Sequence, residues 1–205
     1  LLSQFAETLH DNWGLEENAV KVRREEDQIS SKIVGAVPHY LSYLDCIYRK
    51  SESGKYYYQS DSDLFSGLDP GEADLITDLT DVLKEQLPAE AQIVVPLSIG
   101  NHVDHELTRK AASRLEIPLY YYADYPYAGE SDGKEILDFM KDSTNWEVEI
   151  YAVSEKGIQR WQQAALAYQS QLTIFWENEG ALMGEIKEYS STMGGVGLWK
   201  TTEGS

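Results

Sequence analysis

The stretch Ile93-Val94-Val95-Pro96-Leu97-Ser98-Ile99-Gly100-Asn101-His102-Val103-Asp104-His105 decides the fold of this chain. Its first five residues form a short continuous apolar run rich in β-branched side chains, the pattern of a strand covered on both faces. Ser98 to Asn101 reads as a turn. A helix is expected next, with Asp104 at its N-cap, running to about Leu115. The carboxyl end of such a strand is where α/β proteins place their ligands, so Asn101, His102, Asp104 and His105 arrive together at a functional rim.

The same alternation continues on either side. Residues 16–34 carry Ala19, Val22, Ile29 and Ile33 at helical spacings, with Gly35 as the C-terminal cap. Residues 1–14 read as irregular, and His39 to Leu44 as a short strand. Residues 49–70 form a loop rich in Ser, Asp, Gly and Tyr, long enough to suggest a functional segment. A helix follows from Asp69-Pro70-Gly71-Glu72 to Leu87 and is closed by Pro88. Pro118 to Tyr122 is a further strand, 132–142 a helix and 146–153 a strand. Residues 154–171 and 179–190 are two more helices. This order predicts an α/β, Rossmann-like, mainly parallel sheet with helices on both faces. One domain spanning residues 1–205 accommodates it.

Composition limits the function. The 205 residues carry a net charge of −18 at pH 7, which argues against nucleic acid, whose phosphates need basic grooves. It argues equally against an anionic membrane surface. No apolar run reaches the roughly 18 residues of a membrane span. The single cysteine, Cys46, excludes an internal disulfide framework and fits a reducing, cytoplasmic compartment. Any exposed tyrosines and tryptophans would permit a homo-oligomeric interface.

Chemistry concentrates at the histidine pair. His105 falls in the first turn of the expected helix, where the macrodipole disfavours imidazolium and leaves a neutral ring suited to a metal. His102, in the preceding loop, is freer to face a substrate. Asp104 could accept from an imidazole N–H or cap the helix. Catalytic zinc usually takes three protein ligands and leaves a position for water, so the site implied by His105 is incomplete within these residues. Tyr120, Tyr121, Tyr122, Tyr125 and Tyr127 could line a sugar-stacking surface, with Asp124 accepting from hydroxyls. Tyr56, Tyr57 and Tyr58 are candidates for a lid.

Gly100-Asn101-His102-Val103-Asp104-His105, preceded by Val94-Val95-Pro96-Leu97, resembles the second motif of the LmbE/PIG-L zinc-dependent N-deacetylases. Other segments fall in the family's order. Arg23-Arg24-Glu25-Glu26-Asp27 resembles its Arg-x-x-Glu helix, and Tyr43-Leu44-Asp45-Cys46 resembles the strand end that presents a substrate-binding aspartate. Ala167-Tyr168-Gln169-Ser170-Gln171 is similar to the late Tyr-x-Ser-Gln helix end. The resemblance implies hydrolysis of an N-acetyl group on an amino sugar or glycoconjugate. It implies His105 as a zinc ligand, His102 and Asp104 as proton and oxyanion machinery, and Arg23 and Asp45 as sugar-binding residues, with Asn101 beside them on the rim. Some members carry a tyrosine where this chain has Gly100.

No segment matches the family's opening His-Pro-Asp-Asp-Glu motif, which supplies two zinc ligands and the general base. The chain starts Leu1-Leu2-Ser3-Gln4-Phe5 without an initiator methionine and is expected to begin within a loop, with the missing strand and motif before it. A doubly wound sheet without that central strand would expose apolar edges. The alternative is a natural variant, a non-catalytic carbohydrate-binding or interaction domain that has lost the metal. A third reading is a metal-free hydrolase using His102 and Asp104 as a base pair.

Overall fold

The computed structural model describes residues 2–15 and 18–202; Glu16 and Glu17, at the start of the expected first helix, lie outside them. The chain divides into two compact units, Leu1–Leu44 with Tyr151–Val196, and Asp45–Ile150 with Gly197–Ser205.

The second unit holds the sheet. Strands β1 (Ile93–Pro96), β2 (Leu119–Tyr122), β3 (Trp146–Tyr151) and β4 (Val196–Thr201) lie in the order β1-β2-β4-β3. β1 and β2 are parallel, Val95 opposite Tyr121, and the ladder extends to Leu97, whose N–H donates to the Tyr122 carbonyl at 2.9 Å. β4 runs antiparallel to β2, with Trp199 opposite Tyr121. The α/β alternation is as the sequence predicts; the antiparallel strand β4 follows directly on the Gly194-Gly195 turn. Gly194 ends its helix with φ 74° and Gly195 follows at φ 143°, conformations open to glycine.

Helix α5 (Val103–Ser113) links β1 to β2, α4 (Ala73–Gln86) packs beside it, and the short α3 (Asp61–Leu64) precedes both in the chain. Ala111 and Ala112 are buried and small, and they let the α4 backbone approach closely enough for Thr80 Oγ1 to donate to the Ala111 carbonyl at 3.0 Å. Val95, Leu97, Ile99, Val103, Leu107 and Trp199 complete the core at this end. β1 is not covered on both faces as its composition suggests. Among the described residues it is an edge strand, with Val95 5% exposed and Val94, on the opposite face, 40%.

Helix α6 (Ser131–Asp142) follows β2. Gly133 lies where a Cβ would stand 2.1 Å from the Tyr127 carbonyl oxygen and 2.8 Å from Ala128 Cα. The obstructing atoms are backbone and cannot turn aside. Gly133→Ala is therefore expected to lower stability by about 1–3 kcal/mol. A denaturation midpoint equal to that of the parent would contradict this packing.

The first unit is helical: α1 (Gln4–Asn12), α2 (Ala19–Val34), α7 (Glu155–Leu166), α8 (Gln169–Phe175) and α9 (Glu179–Met193). Three expectations change here. The leading segment is not irregular: Ser3 Oγ accepts from the Ala6 N–H at 3.0 Å and starts α1. Residues 39–44 form no strand, because Pro38 and the exposed Val37, Tyr40 and Leu44 leave no buried face to pair. Helix 154–171 is broken at Tyr168 (φ −86°, ψ 61°), which splits it into α7 and α8.

The face of α2 also differs from its apolar spacing. Ile29 is 55% exposed, whereas Glu26 and Ser30 are buried. Glu26 is inside because it serves another helix. Its Oε1 accepts from the Ser170 N–H at 2.8 Å and its Oε2 from Ser170 Oγ at 2.6 Å, which satisfies an orphan donor at the start of α8. Tyr168 OH donates to the neighbouring Asp27 at 2.7 Å. The Arg-x-x-Glu and Tyr-x-Ser-Gln segments thus meet as a structural clamp. Glu26→Ala leaves the Ser170 amide unpartnered and is expected to cost about 1–3 kcal/mol. Unchanged thermal stability of that variant would rule the clamp out.

Candidate functional site

The turn after β1 carries three left-handed residues, Ser98 (φ 63°), Gly100 (φ 85°) and Asn101 (φ 59°), closed by the Asn101 N–H donating to the Ser98 carbonyl at 3.0 Å. Asparagine tolerates this conformation better than most residues. It delivers His102 as the N-cap of α5, not Asp104 as the sequence suggested. His102 Nδ1 accepts from the Asp104 N–H at 3.2 Å. A neutral His102 must then carry its hydrogen on Nε2. Burial pushes the ring below its ordinary pKa, with the Asp104 charge pulling the other way and His105 reinforcing the fall. The His102 and His105 ring centroids lie 5.2 Å apart.

Asp104 is released from capping for a different task. Its Oδ1 pairs with Arg49 and its Oδ2 accepts from the Cys46 N–H at 3.2 Å. Arg49, 6% exposed, also pairs with Glu72, whose Oε2 takes the Tyr58 hydroxyl. Tyr58 OH in turn accepts from the Asp69 N–H at 3.1 Å. This buried chain Asp104–Arg49–Glu72–Tyr58 ties the 49–72 segment to the histidine helix. Tyr58 is 2% exposed, so it belongs to that network and not to a lid.

Asp124, two residues past β2, is 1% exposed. One oxygen accepts from the Ile99 N–H at 2.9 Å; the other lies 2.6 Å from His105 Nδ1, a contact short of an in-line hydrogen bond. It faces protein groups, not substrate hydroxyls as the sequence reading had it. Phe65 and Tyr127 close the site as an aromatic wall. The Phe65 ring centroid lies 5.5 Å from His102 and 6.0 Å from Tyr127, and Tyr127 lies 6.3 Å from His105. Gly100 makes room for this, since a Cβ there would stand 2.8 Å from Tyr127 Cγ. Burial, with Glu130 and Asp124 nearby, raises the Tyr127 pKa and keeps the phenol neutral.

Asp45 caps the short 3-10 helix Cys46–Tyr48, its Oδ1 accepting from the Ile47 N–H at 3.4 Å. It stands at the end of an extended loop rather than of a strand. Arg23 belongs to α2 in the other unit, its guanidinium 5.2 Å from the Trp13 ring centroid; its substrate-binding role rests on the resemblance alone.

Two groups of side chains bear on a metal. Among the described residues, Asp45, Cys46 and Asp104 bring three potential ligand atoms within 4.8 Å of one another. They do not suit a divalent cation: Arg49 already holds Asp104, and burial with the Asp104 and Asp45 charges pushes the Cys46 thiol far up. A thiol kept protonated is a poor ligand. His105 does suit one. It is a partly exposed imidazole at the rim, with a carboxylate behind one nitrogen, the usual support of a metal-bound histidine. It is a single ligand, and a zinc ion there would need others from outside this constellation.

Phe65, Arg49, Glu72 and the Asp124–His105 contact escaped the sequence reading. The length of the 49–70 loop signalled Arg49 and Phe65 alone.

No family model and no curated protein matches the sequence. Solved structures do match the fold. A zinc-inhibited form of the teicoplanin deacetylase Orf2 superposes with a TM-score of 0.77 at 23% identity, covering 100% of this chain and 84% of that one. A deacetylase–teicoplanin complex gives 0.71 at 23% identity over 98% and 80% of the two chains. The A40926 pseudoaglycone deacetylase Dbv21 gives 0.68 at 25% identity over 100% and 81%.

Proposed function

We propose that this protein is a zinc-dependent N-deacetylase that hydrolyses the acetamido group of an amino sugar carried by a glycoconjugate. The observation that carries the reading is the histidine pair at the end of β1: His105 supported by a buried carboxylate through Nδ1, and His102 with its hydrogen on Nε2. The matching solved structures include a teicoplanin deacetylase, in a zinc-inhibited form, and the A40926 pseudoaglycone deacetylase. They support deacetylation and a site that zinc can reach.

Zinc held in part by His105 would polarise the acetyl carbonyl and lower the pKa of its bound water towards about 7. The chain's own residues supply the rest. His102 Nε2–H donates to the carbonyl oxygen as negative charge develops there. Asp104 is held by Arg49, so it acts on His102 through its charge and its backbone N–H. Tyr127 and Phe65 keep water from the apolar side of the site. Asp45 and Asn101 bind sugar hydroxyls.

Incubation with N-acetylglucosaminyl glycoconjugates and mass spectrometry of the product tests this. Loss of one acetyl group per sugar, stopped by a chelator, is expected. The Asp45–Cys46–Asp104 group, unsuited to zinc, favours a second reading, a carbohydrate-binding domain of the same fold. Saturable binding of the intact glycoconjugate with no acetyl lost at any zinc concentration would establish that reading and refute the first.

A further inference from the structure

We propose that Asp124 is a positioning residue that fixes the hydrogen of His105 on Nδ1 and leaves the lone pair on Nε2, the opposite arrangement to His102. The inference deepens the proposed function and rests on it for the use made of that lone pair.

The geometry carries it in three steps. Asp124 is 1% exposed, and a buried carboxylate needs partners for both oxygens. Oδ2 takes the Ile99 N–H at 2.9 Å, which leaves Oδ1 to His105 Nδ1 at 2.6 Å. The contact is bent away from in-line geometry, yet two bare lone pairs at that separation repel, so the neutral ring carries its hydrogen on Nδ1. His102, 5.2 Å away, is arranged the other way, because its Nδ1 is used by the Asp104 N–H. One ring offers a lone pair to a metal and its neighbour offers a hydrogen to a developing oxyanion.

Asp124 also holds the platform. The Ile99 N–H that it binds lies between Ser98 and Gly100, two of the left-handed residues of the β1–α5 turn. The end of β2 therefore sets both the His105 tautomer and the turn that delivers the ring.

The test uses zinc-free protein labelled with 15N-histidine at pH 8. The four histidines are assigned with His102→Gln and His105→Gln, and tautomers are read from the ring nitrogen shifts. The expected spectrum places the hydrogen on Nδ1 of His105 and on Nε2 of His102. In Asp124→Asn, the isosteric amide keeps its oxygen on the Ile99 N–H and turns its NH2 to His105 Nδ1. That nitrogen must then accept, and the hydrogen moves to Nε2. Titration with zinc alone should show affinity falling about 10–100-fold in this variant. Hydrogen on Nε2 of His105 in the parent, or an unchanged tautomer in Asp124→Asn, would overturn the inference even if acetate were released. The expected tautomers in a protein that neither binds zinc nor releases acetate would instead overturn the proposed function and leave the assignment of Asp124 intact.

Discussion

Replacing Arg49 by alanine is expected to lower stability by about 3–5 kcal/mol, among the largest losses open to a single substitution outside the apolar core. Arg49 is the only cation in the buried chain that runs from Asp104 through Glu72 to Tyr58 among the described contacts. Its side chain is 6% exposed and that of Glu72 is 1%. Without the guanidinium, the buried Glu72 carboxylate and Asp104 lose their shared cation, with little water around Glu72 to screen its charge. The double replacement Arg49→Met with Glu72→Leu removes both charges at similar volume and should recover much of the loss. Urea denaturation of the three proteins decides the matter. A single variant within about 1 kcal/mol of the parent, where exposed pairs fall, would mean the network carries no weight.

The second large effect falls on rate. His102→Ala is expected to reduce kcat about 100- to 1000-fold, the usual cost of losing one donor to a developing oxyanion, with KM little changed. His102 is also the N-cap of α5, so the alanine variant loses about 1 kcal/mol of stability as well. His102→Asn separates the two roles. Asparagine is among the best N-caps, so this variant should regain the stability but not the rate. If the asparagine variant recovered activity together with stability, His102 would be only a cap.

The fold was legible where periodicity and punctuation agree. The Ile93–Leu97 run, the turn at Ser98–Asn101 and the Gly35 cap each mark their element by local chemistry. Long-range partners misled the reading elsewhere. Glu26 lies on the buried face of α2 because Ser170, 144 residues away, needs its carboxylate, and no spacing within α2 signals that. Ser3 was too short a signal to reveal α1 without its backbone partner. Asp104 fits an N-cap by composition, yet His102 takes the amide while Arg49, 55 residues earlier, draws the carboxylate away.

The site was half legible for the same reason. His102 and His105 were placed at the rim by their position after a strand. Asp124 sits in a tyrosine-rich segment where a carboxylate suggests a sugar hydroxyl, and only the parallel pairing of β1 with β2 brings it behind His105. Phe65 is an exposed ring in a polar loop until the fold sets it against His102. Gly100 looked like the loss of a tyrosine. In the structure it is the space that the Tyr127 ring requires.

The central claim is that His105 holds a zinc ion that drives deacetylation, and one measurement addresses it most directly: acetate release from an N-acetylglucosaminyl glycoconjugate, with zinc content determined in parallel, for the parent and for His105→Ala. The parent is expected to release acetate in a zinc-dependent way, lost on chelation and restored by added zinc. His105→Ala is expected to bind zinc at least tenfold more weakly and to release no acetate at zinc levels that saturate the parent. Undiminished acetate release after chelation, or a His105→Ala protein that keeps both its zinc and its activity, would contradict it.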